Sequence, residues 1–175
     1  DKLVIKSGIV RCDGDIRVFS ISGSGDIEVG GDIICDEITF TGKLRCNGDI
    51  VCSGNLSVNC SLGTRHISGQ TVRLNGVLKG HDINSRALEV HPLRSTMFSR
   101  FDMDGYEDGS TVRHITAVTV EANHLQCRTL TADSAMLRNG SAVESATCAT
   151  AIGIDRTSSV LLVNGDCQRI HLKTA

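Results

Sequence analysis

Eight cysteines and six histidines are the residues of this chain that could bind a metal or act as nucleophiles and bases. Zinc sites depend on closely spaced ligand pairs such as Cys-x-x-Cys, and no two of the eight cysteines have that spacing. Cys35 and Cys52 lie seventeen positions apart, as do Val29 and Cys46, so Cys and Val exchange at equivalent positions. This exchange is typical of a small hydrophobic residue. We therefore expect buried free thiols in a reducing compartment, with no metal and no other cofactor.

The six histidines stand at positions 66, 81, 91, 114, 124 and 171, without a recognisable arrangement with Ser or Asp. A solenoid acyltransferase would use one histidine as a general base beside an acyl-donor groove. Those enzymes repeat in hexapeptides, whereas the strand spacing of this chain is five, six and six residues. We therefore expect surface histidines and no catalytic residue, and an enzyme is the least favoured interpretation.

Carboxylates also recur, and the chemistry to consider for them is calcium binding. Asp15, Asp32 and Asp49 stand one repeat apart, but calcium-binding solenoids have a nonapeptide repeat. An Asp that follows Gly readily bonds a nearby turn amide, so we expect these three residues to be structural. The acidic segment 102–108 (DMDGYED) matches an EF-hand loop poorly, because its Gly comes too early and Arg113 stands where the final Glu belongs. We expect a solvated acidic loop there.

The elements that must position these groups follow a short repeat. Six glycines form two columns with a spacing of seventeen residues. The columns are Gly8, Gly25 and Gly42, and Gly14, Gly31 and Gly48. Within each repeat the apolar residues come in pairs two apart, which is the period of a short strand, and three such pairs fill one repeat. The pattern predicts an all-β fold, a parallel β-solenoid (right-handed β-helix) with three faces and about 17 residues per coil.

The composition fits the narrow core of a solenoid. Only 3% of the residues are aromatic and there is no Trp, although 40% are hydrophobic. A formal net charge of -2, without a Lys/Arg-rich block, argues against a nucleic-acid partner. No apolar run reaches the length of a membrane span.

A break in the repeat divides the chain into three parts. Regular coils occupy 1–92, a non-repetitive insertion follows at 93–113, and a less regular continuation of the solenoid fills 114–175. The insertion holds the best candidates for contact with a membrane surface or a partner protein. These candidates are Met97, Phe98, Arg100 and Phe101. The alternative is that the insertion folds back and covers one face of its own solenoid.

The glycine-rich run from Ser22 to Val58 (SGSGDIEVGGDIICDEITFTGKLRCNGDIVCSGNLSV) resembles the repeats of bactofilins, the polymer-forming cytoskeletal proteins of bacteria. The stretch from Val120 to Val143 (VEANHLQCRTLTADSAMLRNGSAV) is similar to the second β-helical half of longer Gram-positive bactofilin-like proteins. A flagellar assembly protein with such repeats would look similar over residues 8–60. The bactofilin resemblance implies a nucleotide-independent polymer, cytoplasmic or peripheral at the inner face of the membrane. Such a polymer supports cell shape, the envelope or motility machinery, whose proteins are its implied partners.

The physics of a solenoid also predicts self-association. Each end of a stack of parallel strands is an open edge that can pair with another strand. Neither terminus shows an obvious capping segment, so we expect the contacts of a homopolymer at both ends. The expected interface residues are Leu3, Ile5, Ile170 and Leu172. The alternative is a non-polymerising assembly factor or binding module that captures a partner through the insertion.

Overall fold

The computed structural model describes residues 1–93 and 109–173, and within these ranges the chain consists of strands and turns, without helix. The strands are β1 (Lys2–Ile5), β2 (Ile9–Cys12), β3 (Ile16–Arg17), β4 (Ser20–Val29), β5 (Ile33–Cys35), β6 (Glu37–Cys46), β7 (Asp49–Cys52), β8 (Asn55–Gly63), β9 (His66–His91), β10 (Ser110–Asn123), β11 (Leu125–Arg138), β12 (Ala142–Ile154), β13 (Ser159–Asn164) and β14 (Gln168–His171). They form one parallel sheet wound into about nine coils, which confirms the predicted all-β parallel solenoid.

Successive coils of the first half stack with nearly constant register. Ile33 of β5 lies opposite Ile16 in one neighbouring coil and opposite Ile50 in the other. The pairing of β7 with β9 adds Ile67 to this column. All four side chains are buried, because a repeat of seventeen residues returns each of them to the same inward position.

The lumen is filled by aliphatic side chains and thiols. Phe40 is the largest fully buried side chain, and it stacks between Gly23 and Val58 of the adjacent coils. Six cysteines are buried, at positions 35, 46, 52, 60, 127 and 148, which confirms that they pack as small hydrophobic residues. Cys12 and Cys167 are only half-buried, because they lie in the terminal coils.

The corners of the regular coils require glycine and use the recurring aspartates. Gly42 has a φ of 136°, and a Cβ at this position would overlap the carbonyl oxygen of Gly25 in the preceding coil. The N–H of Asp32 donates to Asp15 Oδ1 at 2.9 Å, and the N–H of Asp49 donates to Asp32 Oδ1 at 2.8 Å. These bonds confirm the prediction of structural turn residues for Asp15 and Asp32, whereas the carboxylate of Asp49 contacts His66.

The second half of the solenoid continues the first with coils of unequal length. Lys79 of β9 pairs directly with Thr111 of β10, so the strands on either side of residues 94–108 belong to neighbouring coils. β10 begins at Ser110, within the range predicted as insertion. The hydroxyl of Ser110 is buried and accepts a hydrogen bond from the N–H of Leu78 at 3.0 Å. Between β10 and β11 the register shortens to fifteen residues.

Candidate functional site

The N-terminal end of the solenoid is an open, apolar edge. Within the described residues, β1 and β2 pair only with β4, and β3 pairs only with β5, so the first coil has a single neighbour. Leu3 and Val10 are half-buried at the mouth of the lumen. Val4, Ile9 and Phe19 are exposed by 61%, 62% and 53%. An edge with unpaired backbone groups and apolar side chains is a template for another strand.

The last described coil at the C-terminal side also has a neighbour on one side only. Among the described strands, β13 and β14 pair only with β12. Leu161 is 82% exposed and Leu162 is 55% exposed, while Val160 and Val163 are half-buried against the end of the core. The faces formed by β13 therefore present apolar surface at this end.

Ile170 and Leu172 do not point into the lumen, although they are spaced two residues apart like the inward pairs of the other strands. Arg169 lies opposite Ile152, whose fully buried side chain points into the lumen. Because side chains alternate along a strand, Ile170 and Leu172 are directed to the outer surface. Leu172 occupies the space beside Gly153, where a Cβ would stand 3.0 Å from its Cδ2. The pairing with β12 therefore sets the orientation of these residues, and hydrophobic spacing alone does not.

The other predicted interface residues lie at the N-terminal end. Leu3 and Ile5 are opposite Ile21 and Gly23, in the inward positions of β1. Their part in assembly stays a prediction, as does that of Ile170 and Leu172. The candidate contact residues of the insertion lie outside the described residues; they are Met97, Phe98, Arg100 and Phe101.

A column of carboxylates and imidazoles runs along the outside of the face that contains β7. His66 Nδ1 lies 2.7 Å from Asp49 Oδ1, and His66 Nε2 lies 2.8 Å from Asp82 Oδ2. His114 follows Asp82 in register, and its Nδ1 lies 2.5 Å from Thr129 Oγ1. Side-chain hydrogen bonds therefore connect successive coils on this surface.

The geometry of this column favours a structural role over general base catalysis. Both ring nitrogens of His66 are engaged by carboxylates, so this imidazole has no nitrogen left to accept a proton from a substrate. His114 and Thr129 are placed as a base and a hydroxyl nucleophile would be. However, the neighbouring carboxylate of Asp82, which could orient His114, lies against His66 Nε2 instead.

Sequence reasoning missed this column, although one signal was present. The seventeen-residue repeat that links Asp32 to Asp49 leads next to His66. Asp82 follows His66 after sixteen positions instead of seventeen. His114 could not be placed either, because β9 and β10 pair residues 32 positions apart.

A groove of about 530 Å³ lies on the face formed by the first residues of β10, β11, β12 and β13. Arg113, Gln126 and Arg128 line it, with Leu161 at the C-terminal side. Cys127 also lines the groove, but burial raises the pKa of its thiol to about 12. Since the thiolate is the nucleophilic form, Cys127 is a weak nucleophile at neutral pH.

A buried carboxylate fixes the corner before the last coil. Asp155 is 4% exposed and accepts hydrogen bonds from the N–H of Asn139 at 2.9 Å and from the N–H of Thr157 at 3.0 Å. Burial raises the pKa of Asp155, but these bonds, together with hydrogen bonds from the side chains of Thr157 and Ser158, outweigh it and hold the pKa at about 2. Asn139 has a left-handed φ of 53°, so the carboxylate also supports an unusual backbone conformation.

No family model, curated protein or solved structure matches this chain. The part of the chain that the structure describes contains no helix long and apolar enough to span a bilayer. It also contains no group of three or more His, Cys, Asp or Glu side chains arranged to hold a metal ion. Function is therefore inferred from the solenoid itself and from its two ends.

Proposed function

We propose that this protein is a polymer-forming scaffold whose units join end to end by stacking of their terminal coils, without nucleotide. The supporting observation is the position of its exposed apolar residues. Five of the seven large hydrophobic residues exposed in the described part of the chain lie in or next to the terminal coils. They are Val4, Ile9, Phe19, Leu161 and Leu162. Apolar exposure of this kind marks a contact surface, and here it borders unpaired strand edges.

Stacking of a second copy would extend the contacts that already hold the rod together. Each internal coil is stabilised by a neighbour on both sides, whereas each terminal coil has only one. A second copy supplies the missing neighbour through the same backbone hydrogen bonds and lumen contacts. No nucleotide or cofactor is needed for such a contact, because the strand edge itself is the template.

The resemblance of Ser22–Val58 to bactofilins supports the same function. We extend the proposal to the role that this resemblance implies, a non-catalytic cytoplasmic homopolymer that supports cell shape, the envelope or motility machinery. A parallel solenoid with about 17 residues per coil supports this assignment, because it is the fold that the resemblance implies. Contact with the inner membrane surface or with envelope or motility proteins belongs to the same proposal.

Negative-stain electron microscopy and sedimentation of the purified chain, without nucleotide, test the proposal. Leu3→Arg places a charge at the open mouth of the lumen, where the monomer can keep it in water but a stacked partner would bury it. Val51→Arg is the matched control, because Val51 is 44% exposed on the outer surface of an internal coil that has a neighbour on both sides. We expect filaments or sheets from the unmodified chain and from Val51→Arg, and discrete particles with a native circular dichroism spectrum from Leu3→Arg.

Two results would contradict end-to-end stacking. One is polymer of unchanged length from Leu3→Arg. The other is discrete particles of the unmodified chain at every concentration, which would instead favour a non-polymerising binding module.

A further inference from the structure

The inward residues of one face change from apolar to polar in the last described coil of the solenoid. On the face that begins with β1 and ends with β14, every inward position before β14 is apolar or glycine. In β14, Arg169 takes the position opposite Ile152, and His171 takes the position opposite Ile154. Both side chains are exposed, since the described chain places no coil beyond them. A cationic side chain and an imidazole therefore occupy positions where the repeat predicts aliphatic residues.

Among the described residues, no acidic side chain forms an ion pair with Arg169 or His171. Arg156 and Lys173 line a cavity of about 590 Å³ at the same end, together with His171. Asp155 also lines this cavity, but its carboxylate is bound to the corner backbone. Within residues 1–93 and 109–173, neither Arg156, Arg169, His171 nor Lys173 forms an ion pair. The C-terminal end thus combines apolar surface on the faces of β13 with an unpaired cationic patch on the face of β14.

Stacking of a second copy on this end would bury the guanidinium of Arg169 and the imidazole of His171. If the columns of this face continued into the next unit, Leu3 would lie over Arg169 and Ile5 over His171. The guanidinium of Arg169 would then be enclosed between the aliphatic side chains of two coils. Burial of an unpaired charge is strongly unfavourable. Inward-pointing charges on edge strands are a known means of preventing unwanted strand pairing.

We propose that Arg169 and His171 restrict end-to-end growth at the C-terminal end of the solenoid. The proposal rests on the end-to-end assembly proposed above and adds a residue-level control of it. The first coil at the N-terminal end has no inward charged residue, because its inward residues are apolar. The two ends therefore differ in their readiness to accept another copy.

The test compares two double variants of the full 175-residue chain. Arg169→Leu with His171→Val restores aliphatic residues at the inward positions of β14. Arg156→Leu with Lys173→Leu is the matched control, since it removes two cations from the same end but outside the lumen. The critical concentration of assembly is measured by sedimentation, filament length by electron microscopy, and folding by circular dichroism.

We expect the lumen variant to lower the critical concentration by at least about tenfold, which corresponds to about 1.4 kcal/mol per contact, and to lengthen the filaments. The control variant should stay within about threefold of the unmodified chain, less than about 0.7 kcal/mol. A smaller drop in the lumen variant, or an equal drop in the control, overturns the proposal.

These results separate the restriction from the proposed function. If the unmodified chain and the lumen variant are both monomeric at every concentration, both proposals fail. If only the lumen variant assembles, the restriction stands, but the proposed polymer-forming function of the unmodified chain fails. If both assemble equally well, the scaffold function stands without the restriction.

Discussion

Replacing Asp155 with Asn should lower the free energy of unfolding near neutral pH, and this loss should become smaller as the pH falls. The carboxylate has a pKa of about 2 in the folded protein, against an ordinary value of 3.8. Burial opposes this shift, but hydrogen bonds from Asn139, Ser158 and Thr157 to the ionised form outweigh it. The difference corresponds to roughly 2 kcal/mol of folding stability. Because the folded-state pKa is depressed, this contribution is complete above the unfolded pKa and is lost as the pH falls toward 2.

The assay is urea denaturation followed by circular dichroism between about pH 2 and pH 7, at protein concentrations below assembly. Asp155→Asn should be less stable than the unmodified chain by roughly 2 kcal/mol near neutral pH, and the difference should close as the pH approaches 2. Asp133→Asn is the control, since Asp133 is exposed and the described residues supply it with no hydrogen bond. This control should change stability by less than about 0.5 kcal/mol. A difference between Asp155→Asn and the unmodified chain that is constant with pH, or that grows on acidification, would refute the reasoning.

Two further predictions concern the corners and the thiols. Gly42→Ala should destabilise the fold by about 2 kcal/mol or more, because the new Cβ overlaps the carbonyl oxygen of Gly25 at a positive φ. Gly14→Ala, whose Cβ would meet nothing within 4 Å, should cost under about 1 kcal/mol by the same denaturation assay. In the native protein only Cys12 and Cys167 should react quickly with a thiol reagent, because the other six thiols are buried. All eight should react after unfolding, and fast native reaction of more than two thiols would contradict the packing described here.

The first half of the fold could be predicted because its repeat is nearly invariant. Ile16, Ile33, Ile50 and Ile67 are one repeat apart in sequence and directly opposite one another in the sheet. When the register equals the sequence period, each column can be read from the sequence before the structure is known. The same reasoning located the turn aspartates and the buried thiols.

The polar features of the second half could not be predicted in this way, because they depend on how coils of unequal length align. His66 and His114 belong to one column, yet the register between β9 and β10 spans 32 residues. At the C-terminal end, Ile170 and Leu172 have the spacing of inward residues, but the pairing of Arg169 with Ile152 turns them outward. A shift of a single residue exchanges the two faces of a strand, and spacing within the strand cannot reveal it.

The contrast between the two ends follows from the one-dimensional nature of the fold. Each coil contacts only its neighbours, so residues in the last coil can change without disturbing the rest of the rod. A solenoid selected only for solubility would carry polar residues at both ends, yet Val4 and Ile9 remain exposed at the N-terminal end. A solenoid selected only for growth would keep aliphatic residues in the lumen of its last coil, where Arg169 and His171 stand instead. If units join end to end as proposed, one permissive end and one restrictive end are the arrangement expected of a scaffold whose assembly is limited by residues of its last described coil.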